Sequence, residues 1–212
     1  MYSLPQYKEK DHSRVIAFMK EHPFVSLIGV SGSGRIEFTQ LPVLIKEHEG
    51  KIILRGHIAK KLDHEKAIRE NPEVLVVFTG PHSYISGTWY IGNLQQASTW
   101  NYISVHARGR ITWMSDDELV ELLREFTLHF ENNNASSTTI YDNLPEEYLQ
   151  RIIRGIVGFE MEITELENVH KLSQTRDKAS YLTIIDKLSQ QDEAGKYIAE
   201  KMKENIPRIF TD

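Results

Sequence analysis

The chain of 212 residues contains no cysteine, so disulfides, thiolate metal sites and cysteine nucleophiles are excluded together. It has no apolar run approaching the ~20 residues of a membrane-spanning helix. Its opening, MYSLPQYKEKDHS, lacks the basic start and unbroken apolar stretch of a secretion signal. The expectation is a cytoplasmic protein. Basic residues are also short: 25 Lys and Arg against 30 Asp and Glu leave a net charge of −5, which argues against coating nucleic acid by bulk electrostatics. No histidine and carboxylate pair has zinc spacing, and no GxSxG elbow, phosphate-binding loop, GxGxxG turn or paired-carboxylate signature occurs. Any catalysis would therefore have to be supplied by a cofactor.

What is present is ordinary for a folded chain, with 40% hydrophobic and 26% charged residues. The length suits one sizeable domain over 1–212, with a core over 1–176 and a helical tail over 177–212. Asp11 can cap a helix running to Glu21, which Pro23 ends. FVSLIGVSGSGRIEFT reads as a hairpin around Ser31 to Gly34. Pro42 places the next run at a sheet edge or a bend. Lys51 to His57 reads as a strand, Ile58 to Glu70 as a helix, and Val74 to Phe78 as a buried strand.

Trp100 to Trp113 alternates with the period of a strand. Ile103, Val105, Ala107, Gly109, Ile111 and Trp113 share one face; Trp100, Tyr102, Ser104, His106, Arg108 and Arg110 share the other. Ser115 and Glu118 form a capping box for a helix carrying Leu119, Leu122, Leu123, Phe126 and Phe130 on one face. Residues 131–143 are polar and read as a mobile loop. A short helix from Glu146, a strand alternating through Val157, Phe159, Met161 and Ile163, and a helix from Tyr181 to Asn205 complete the chain. Antiparallel strands dominate and no strand-helix-strand repeat appears, so the fold class is mainly β with helices, an antiparallel barrel rather than a doubly wound sheet.

Three stretches could carry function. In GHIAKK, Gly56 closes a strand, and Lys60 and Lys61 sit at a helix start where unpaired amides favour an anion. Residues 51–69 carry a local charge of +4, which would suit a small anionic ligand, though on charge alone a solvated basic face is the better reading. His57 reads first as an ordinary structural histidine. Gly80 to His106 gathers Tyr84, Trp89, Tyr90, Trp100 and Tyr102, a surface for stacking on a planar ring or for packing in a core or interface. Asn101 falls on the core face and reads as a lock on neighbouring backbone. KLSQTR, from Lys171 to Arg176, could bind an anion or close the barrel.

Taken together, MYSLPQY, HPFVSLI, FTQLPVLI, GHIAKK, FTGPHSYISGTWY, TWNYISVHARG and IVGFEMEITELENVHKLSQTR resemble the PaiB-like proteins, in the same order over about residues 1–176. The resemblance implies an FMN-binding split β-barrel related to the pyridoxamine-phosphate oxidases, with flanking helices and a helical C-terminal tail. It also implies a homodimer with flavin mononucleotide at the interface and a role as a transcriptional regulator. By the same resemblance, His57, Lys60 and Lys61 meet the flavin phosphate and the backbone of Thr39, Gln40, Leu41 and Pro42 runs beside the ring. Trp100, Asn101 and His106 complete the pocket, with Lys171, Ser173, Gln174 and Arg176 near it. The chain departs from the family pattern at Gly87, Thr88, Ala97, Ser98 and Lys60. Two other readings stay open: an FMN-dependent oxidoreductase using a nicotinamide donor, and a haem-handling relative of the same fold. DNA binding has no support from a helix-turn-helix pattern or a basic recognition helix.

Overall fold

A computed structural model describes residues 2, 4–92 and 96–210, so residues 93–95 of the Gly80 to His106 stretch lie outside the described residues. Its internal packing divides the chain into two compact units, each made of separate segments. One unit comprises Met19–Phe78 and His106–Leu166; the other comprises Met1–Phe18, Thr79–Val105 and Glu167–Asp212.

Among the described residues seven strands and six α-helices are formed. The strands are β1 (Phe24–Val30), β2 (Ile36–Pro42), β3 (Leu44–His48), β4 (Lys51–Ala59), β5 (Glu73–Ile85), β6 (Thr99–Trp113) and β7 (Ile156–Lys171). The helices are α1 (His12–Glu21), α2 (Asp63–Glu70), α3 (Asp116–Phe130), α4 (Glu146–Gly155), α5 (Lys178–Ser189) and α6 (Glu193–Ile209). Among the described residues no helix is long and apolar enough to cross a membrane.

All seven strands contribute to the unit containing residues 19–78 and 106–166, in the order β2-β1-β5-β6-β7-β4-β3. Its registers are antiparallel: Phe24 pairs with Pro42 through Val30 with Ile36, Leu44 pairs with Arg55, and Gly56 pairs with Phe159. The outer strands are β2 and β3, which follow each other in sequence. Pro42 therefore sits on an edge strand, where its missing N–H costs the ladder least. Val43 then breaks the run, donating its N–H to Pro23 instead.

Gly56 of β4 has no Cβ, and Leu41 of β2 and the Phe159 ring press into the space one would fill. On this sheet α3 packs Leu119, Leu122, Leu123 and Phe126 with Leu44, Tyr141 and Leu149 into a continuous core. The capping box forms: Ser115 Oγ accepts from the Glu118 N–H, and the Ser115 N–H donates to Glu118 Oε2 at 2.7 Å. Replacing Ser115 with alanine is expected to cost about 1 kcal/mol in urea unfolding.

The other unit centres on the helical hairpin of α5 and α6. Tyr181, Ile184, Leu188, Ile198 and Met202 are fully buried there. The Tyr181 hydroxyl donates to the Met202 carbonyl at 2.9 Å, so this aromatic meets its polar requirement inside the core.

Several elements differ from the sequence reading. The helix expected from Ile58 begins at Asp63, because Ile58 and Ala59 continue the alternation of β4 and pair with Val157 and Ile156. β5 runs on past Phe78 to Ile85, through Gly80 and Pro81. The tail is two helices, broken where Asp192 caps α6 by accepting from the Gly195 N–H. The polar stretch 131–143 is tied down by its own hydrogen bonds: Asn143 Nδ2 donates to the Ala135 and Ser137 carbonyls, and Ser137 Oγ donates to Glu131. It also buries Ile140 and Tyr141.

Candidate functional site

The KLSQTR segment forms a tight turn after β7. The Gln174 side chain closes it, accepting from the Leu172 N–H at 2.7 Å and donating to the His170 carbonyl at 2.6 Å. Ser173 takes a left-handed φ of +60°, which is unfavourable for a residue with a Cβ. The turn is held because Ser173 Oγ donates to Asn101 Oδ1 at 3.0 Å, with both residues buried. Asn101 Nδ2 meets the Met202 sulfur. Asn101 thus joins two side chains, those of Ser173 and Met202, rather than locking the neighbouring backbone as its core-face position suggested.

The turn sends Lys171 and Arg176 to the wall of one cavity of about 550 Å³, whose other lining includes Tyr2, Tyr7, Gln96, Ser98 and Thr99. Lys171 Nζ donates to Thr99 Oγ1 at 2.6 Å and lies 5.5 Å from the Tyr2 ring centroid. The Arg176 guanidinium stacks over Tyr90 at 4.0 Å. Burial, followed by the neighbouring charge of Arg176, holds the Lys171 pKa below the ordinary lysine value. Gln96 Oε1 is buried without a hydrogen-bond partner among the described residues. Among the described residues no carboxylate lines this cavity, so two cations converge there with hydroxyl side chains and no described acidic group to neutralise them.

On the exposed face of the same unit, Trp100 lies 5.6 Å from His82 and 5.7 Å from Tyr84, ring to ring. Trp100 is 51% exposed, an uncovered aromatic shelf rather than core.

The other predicted residues belong to the unit containing residues 19–78 and 106–166. Thr39, Gln40, Leu41 and Pro42 lie on edge strand β2, with Leu41 buried. His57 is half-buried and meets Phe126 edge-on at 5.4 Å, with its Nδ1 buried and without a partner among the described residues. Burial holds its pKa below the usual histidine value, so the ring is neutral at pH 7. His106 is half-buried on β6.

Lys60 and Lys61 precede α2 rather than forming its first turn. Lys60 Nζ faces the Ile153 carbonyl at 3.4 Å and Asp116 at 3.8 Å. The Lys61 N–H donates to the buried Glu65 carboxylate, which also accepts from Arg69. That amide already holds an anion from the chain itself. The +4 segment is largely paired in the same way. Lys51 meets Glu162, Arg55 meets Glu125 and Glu160, and Lys66 meets Asp63.

This unit also presents an uncovered apolar sheet face. Val30 pairs with Ile36, and Ile28 pairs with both Phe38 and Leu75, so these side chains share one side. Phe24, Ile36 and Phe38 are about 60% exposed or more, at 60%, 68% and 58%.

The structure therefore brings Lys171, Ser173 and Arg176 around one cavity, with Asn101 and Gln174 as the bonds that shape it. Tyr2, Tyr7, Gln96 and Thr99 join them without having been singled out by motif. The only sequence signal for them is that they lie in or beside stretches carrying the family resemblance.

The family described as "Putative FMN-binding domain" matches residues 1–165. The chain is 28% identical over 209 residues to the "Protease synthase and sporulation protein PAI 2" of Bacillus subtilis, covering 98% of this chain and 99% of that protein. Among solved structures, the FAD and haem binding protein of Mycobacterium smegmatis superimposes with a TM-score of 0.54 at 13% identity, over 78% of this chain and 73% of that one. The flavocytochrome Anf3 of Azotobacter vinelandii gives 0.52 at 16% identity, over 83% and 75%. At such identities the structural likeness speaks to the fold, and the sequence match to the family. The chain belongs to the PaiB-like family of FMN-binding domains, with the fold of the split-barrel proteins although its own antiparallel sheet is not closed into the expected barrel, and its cofactor is flavin mononucleotide.

Proposed function

We propose that this chain is a regulatory flavoprotein that binds FMN as a homodimer, with the flavin phosphate held by Lys171 and Arg176. The observation that carries the reading is a cavity with no carboxylate among its described lining residues, where two half-buried cations sit beside the hydroxyls of Thr99 and Ser98. Its volume of about 550 Å³ falls within the ~300–1,000 Å³ of cofactor pockets. An arginine fork and a lysine point charge are the standard donors to phosphate oxygens. Burial first, and then the charge of Arg176, lower the Lys171 pKa, and a bound anion would offset both.

Bound FMN supplies the redox chemistry that no residue motif of the chain provides. The residues of the chain bind and orient it. Thr99 holds the Lys171 ammonium in place, the Ser173–Asn101 bond fixes the turn, and Tyr90 supports the Arg176 guanidinium. The regulatory part of the proposal takes its support from the name of the Bacillus subtilis relative, matched over nearly its whole length.

The homodimer takes its support from the apolar face of β1, β2 and β5, since large exposed apolar patches mark interaction surfaces. Placing a charge there, Phe38→Asp, is expected to turn a dimer into a monomer in sedimentation equilibrium while leaving the circular dichroism spectrum unchanged. A wild-type chain that sediments as a monomer at all concentrations would remove the dimer. Flavin binding is tested by quenching of FMN fluorescence on titration. A protein that takes up no FMN would remove the cofactor and with it the flavin-regulated reading.

A further inference from the structure

We propose that a second, smaller cavity, formed by the N-terminal segment, the end of β7 and the C-terminal turn of α6, binds a small oxyanion such as inorganic phosphate or a short carboxylate. The cavity measures about 150 Å³ and is lined by Lys8, Glu9, Lys10, His170, Gln174 and Arg208, among others. At ~30 Å³ per water it has room for about five waters, enough for an oxyanion and far below what a flavin needs. It is therefore distinct in kind from the larger cavity beside Lys171.

Its charges are unequally committed. Glu9 is buried and fully engaged: it accepts from both terminal nitrogens of Arg208, at 2.6 and 2.9 Å, from the Asp11 N–H at 2.9 Å, and pairs with Arg14 at 3.1 Å. Burial opposes its ionisation, but the Arg208 and Asp11 hydrogen bonds and the charges of Arg14 and Arg208 outweigh this and hold its pKa below the usual carboxylate value. Asn168 fixes the same segment from both sides, accepting from the Glu9 N–H at 2.8 Å and donating to the Glu9 carbonyl at 3.1 Å. Lys8 and Lys10, by contrast, have no ion-pair partner among the described residues.

The group that points to a ligand is His170. It is 7% exposed, lines the cavity, and its Nε2 is buried without a partner among the described residues. A buried polar atom left unpaired is destabilising, so such an atom calls for an explanation. Burial, and then the cations Arg14, Lys201 and Arg208 against the single carboxylate of Glu9, push its pKa down to about 4. At pH 7 the ring is neutral and can donate one N–H, within a field that is positive on balance. An oxyanion accepts that N–H and satisfies Lys8 and Lys10 together. Gln174, which shapes the turn carrying Lys171 and Arg176, lines this cavity too, so occupancy would bear on the flavin site.

The experiment is isothermal titration calorimetry on the full chain carrying Lys171→Ala and Arg176→Ala, which strips the larger cavity of its cations. Potassium phosphate and sodium acetate are titrated separately, each against sodium chloride at equal ionic strength. The expected result is a saturable isotherm with phosphate or acetate and none with chloride; which anion binds distinguishes the two sources. Adding Lys8→Ala with Lys10→Ala, a fold-neutral surface pair, should weaken binding about fivefold or more. His170→Phe, which keeps a ring against Phe18, should abolish it. The proposal is overturned if neither anion gives a saturable isotherm, if chloride behaves alike, or if the lysine pair binds as the parent does. Because the flavin cations are already removed, failure of FMN binding and failure of this site are read separately.

Discussion

Replacing Lys171 and Arg176 together with alanine is expected to weaken FMN binding about a hundredfold or more. Each charge-assisted hydrogen bond to a phosphate contributes about 1.5–3 kcal/mol, and losing two removes about 3 kcal/mol at the least. The effect should be large because, among the described lining residues, the remaining donors are uncharged. Fold should survive, since neither side chain is in the core and the turn is held by Gln174, Ser173 and Asn101. Fluorescence titration reads the affinity and circular dichroism the fold.

Lys60→Ala should matter less, because the Lys60 ammonium already faces Asp116 and the Ile153 carbonyl. A Lys60→Ala variant that loses more affinity than the double variant would move the phosphate site to GHIAKK. The pH dependence carries its own sign. The Lys171 pKa lies below that of an ordinary lysine, so affinity should fall with rising pH before a surface lysine would titrate.

The second large effect concerns stability. Gly109 is buried in β6 beside β7, and a Cβ there would stand 2.2 Å from the Glu162 carbonyl oxygen and 3.1 Å from its carbon. Backbone cannot rotate away as a side-chain tip can. The two strands, spaced at ~4.8 Å by their hydrogen bonds, would have to separate. Gly109→Ala is expected to cost about 3 kcal/mol or more in urea unfolding, at the upper end for overpacking. Gly155→Ala, at the end of α4 with no atom within 4 Å of its built Cβ, is the control and should be close to neutral.

Much of the fold was legible because its signals are local. The alternation of β6 follows from the strand period, and the Ser115 box from amides that need partners. Asn101 was legible as a buried amide that must be paired, but its partners are the side chains of Ser173 and Met202, not the neighbouring backbone. The misread start of α2 has an equally local cause. Ile58 fits a helix stripe and a strand face alike, and only its pairing with Val157 decides. The stretch 131–143 has little to bury by sequence, yet Ile140 is buried and Tyr141 joins the core formed by α3, a contact no window of sequence displays.

The candidate site was half legible. Lys171, Ser173 and Arg176 follow from the KLSQTR motif, but their chemistry depends on what faces them. Thr99 lies 72 residues from Lys171, and the two meet only in the fold. The reverse holds for the +4 segment. Its charge is real, but carboxylates from α3 and β7 neutralise it, so local charge alone overstated its appetite for anions.

The central claim is that two cations in a carboxylate-free cavity recognise the phosphate of FMN. The most direct test is to titrate the protein with FMN and with riboflavin, which share ring and ribityl chain and differ in the phosphate. The account predicts that FMN binds about a hundredfold tighter or more, and that the Lys171→Ala, Arg176→Ala double variant brings the two ligands to nearly equal affinity. Equal affinity of the wild-type protein for both, or a preference for FMN that survives the double variant, would contradict it.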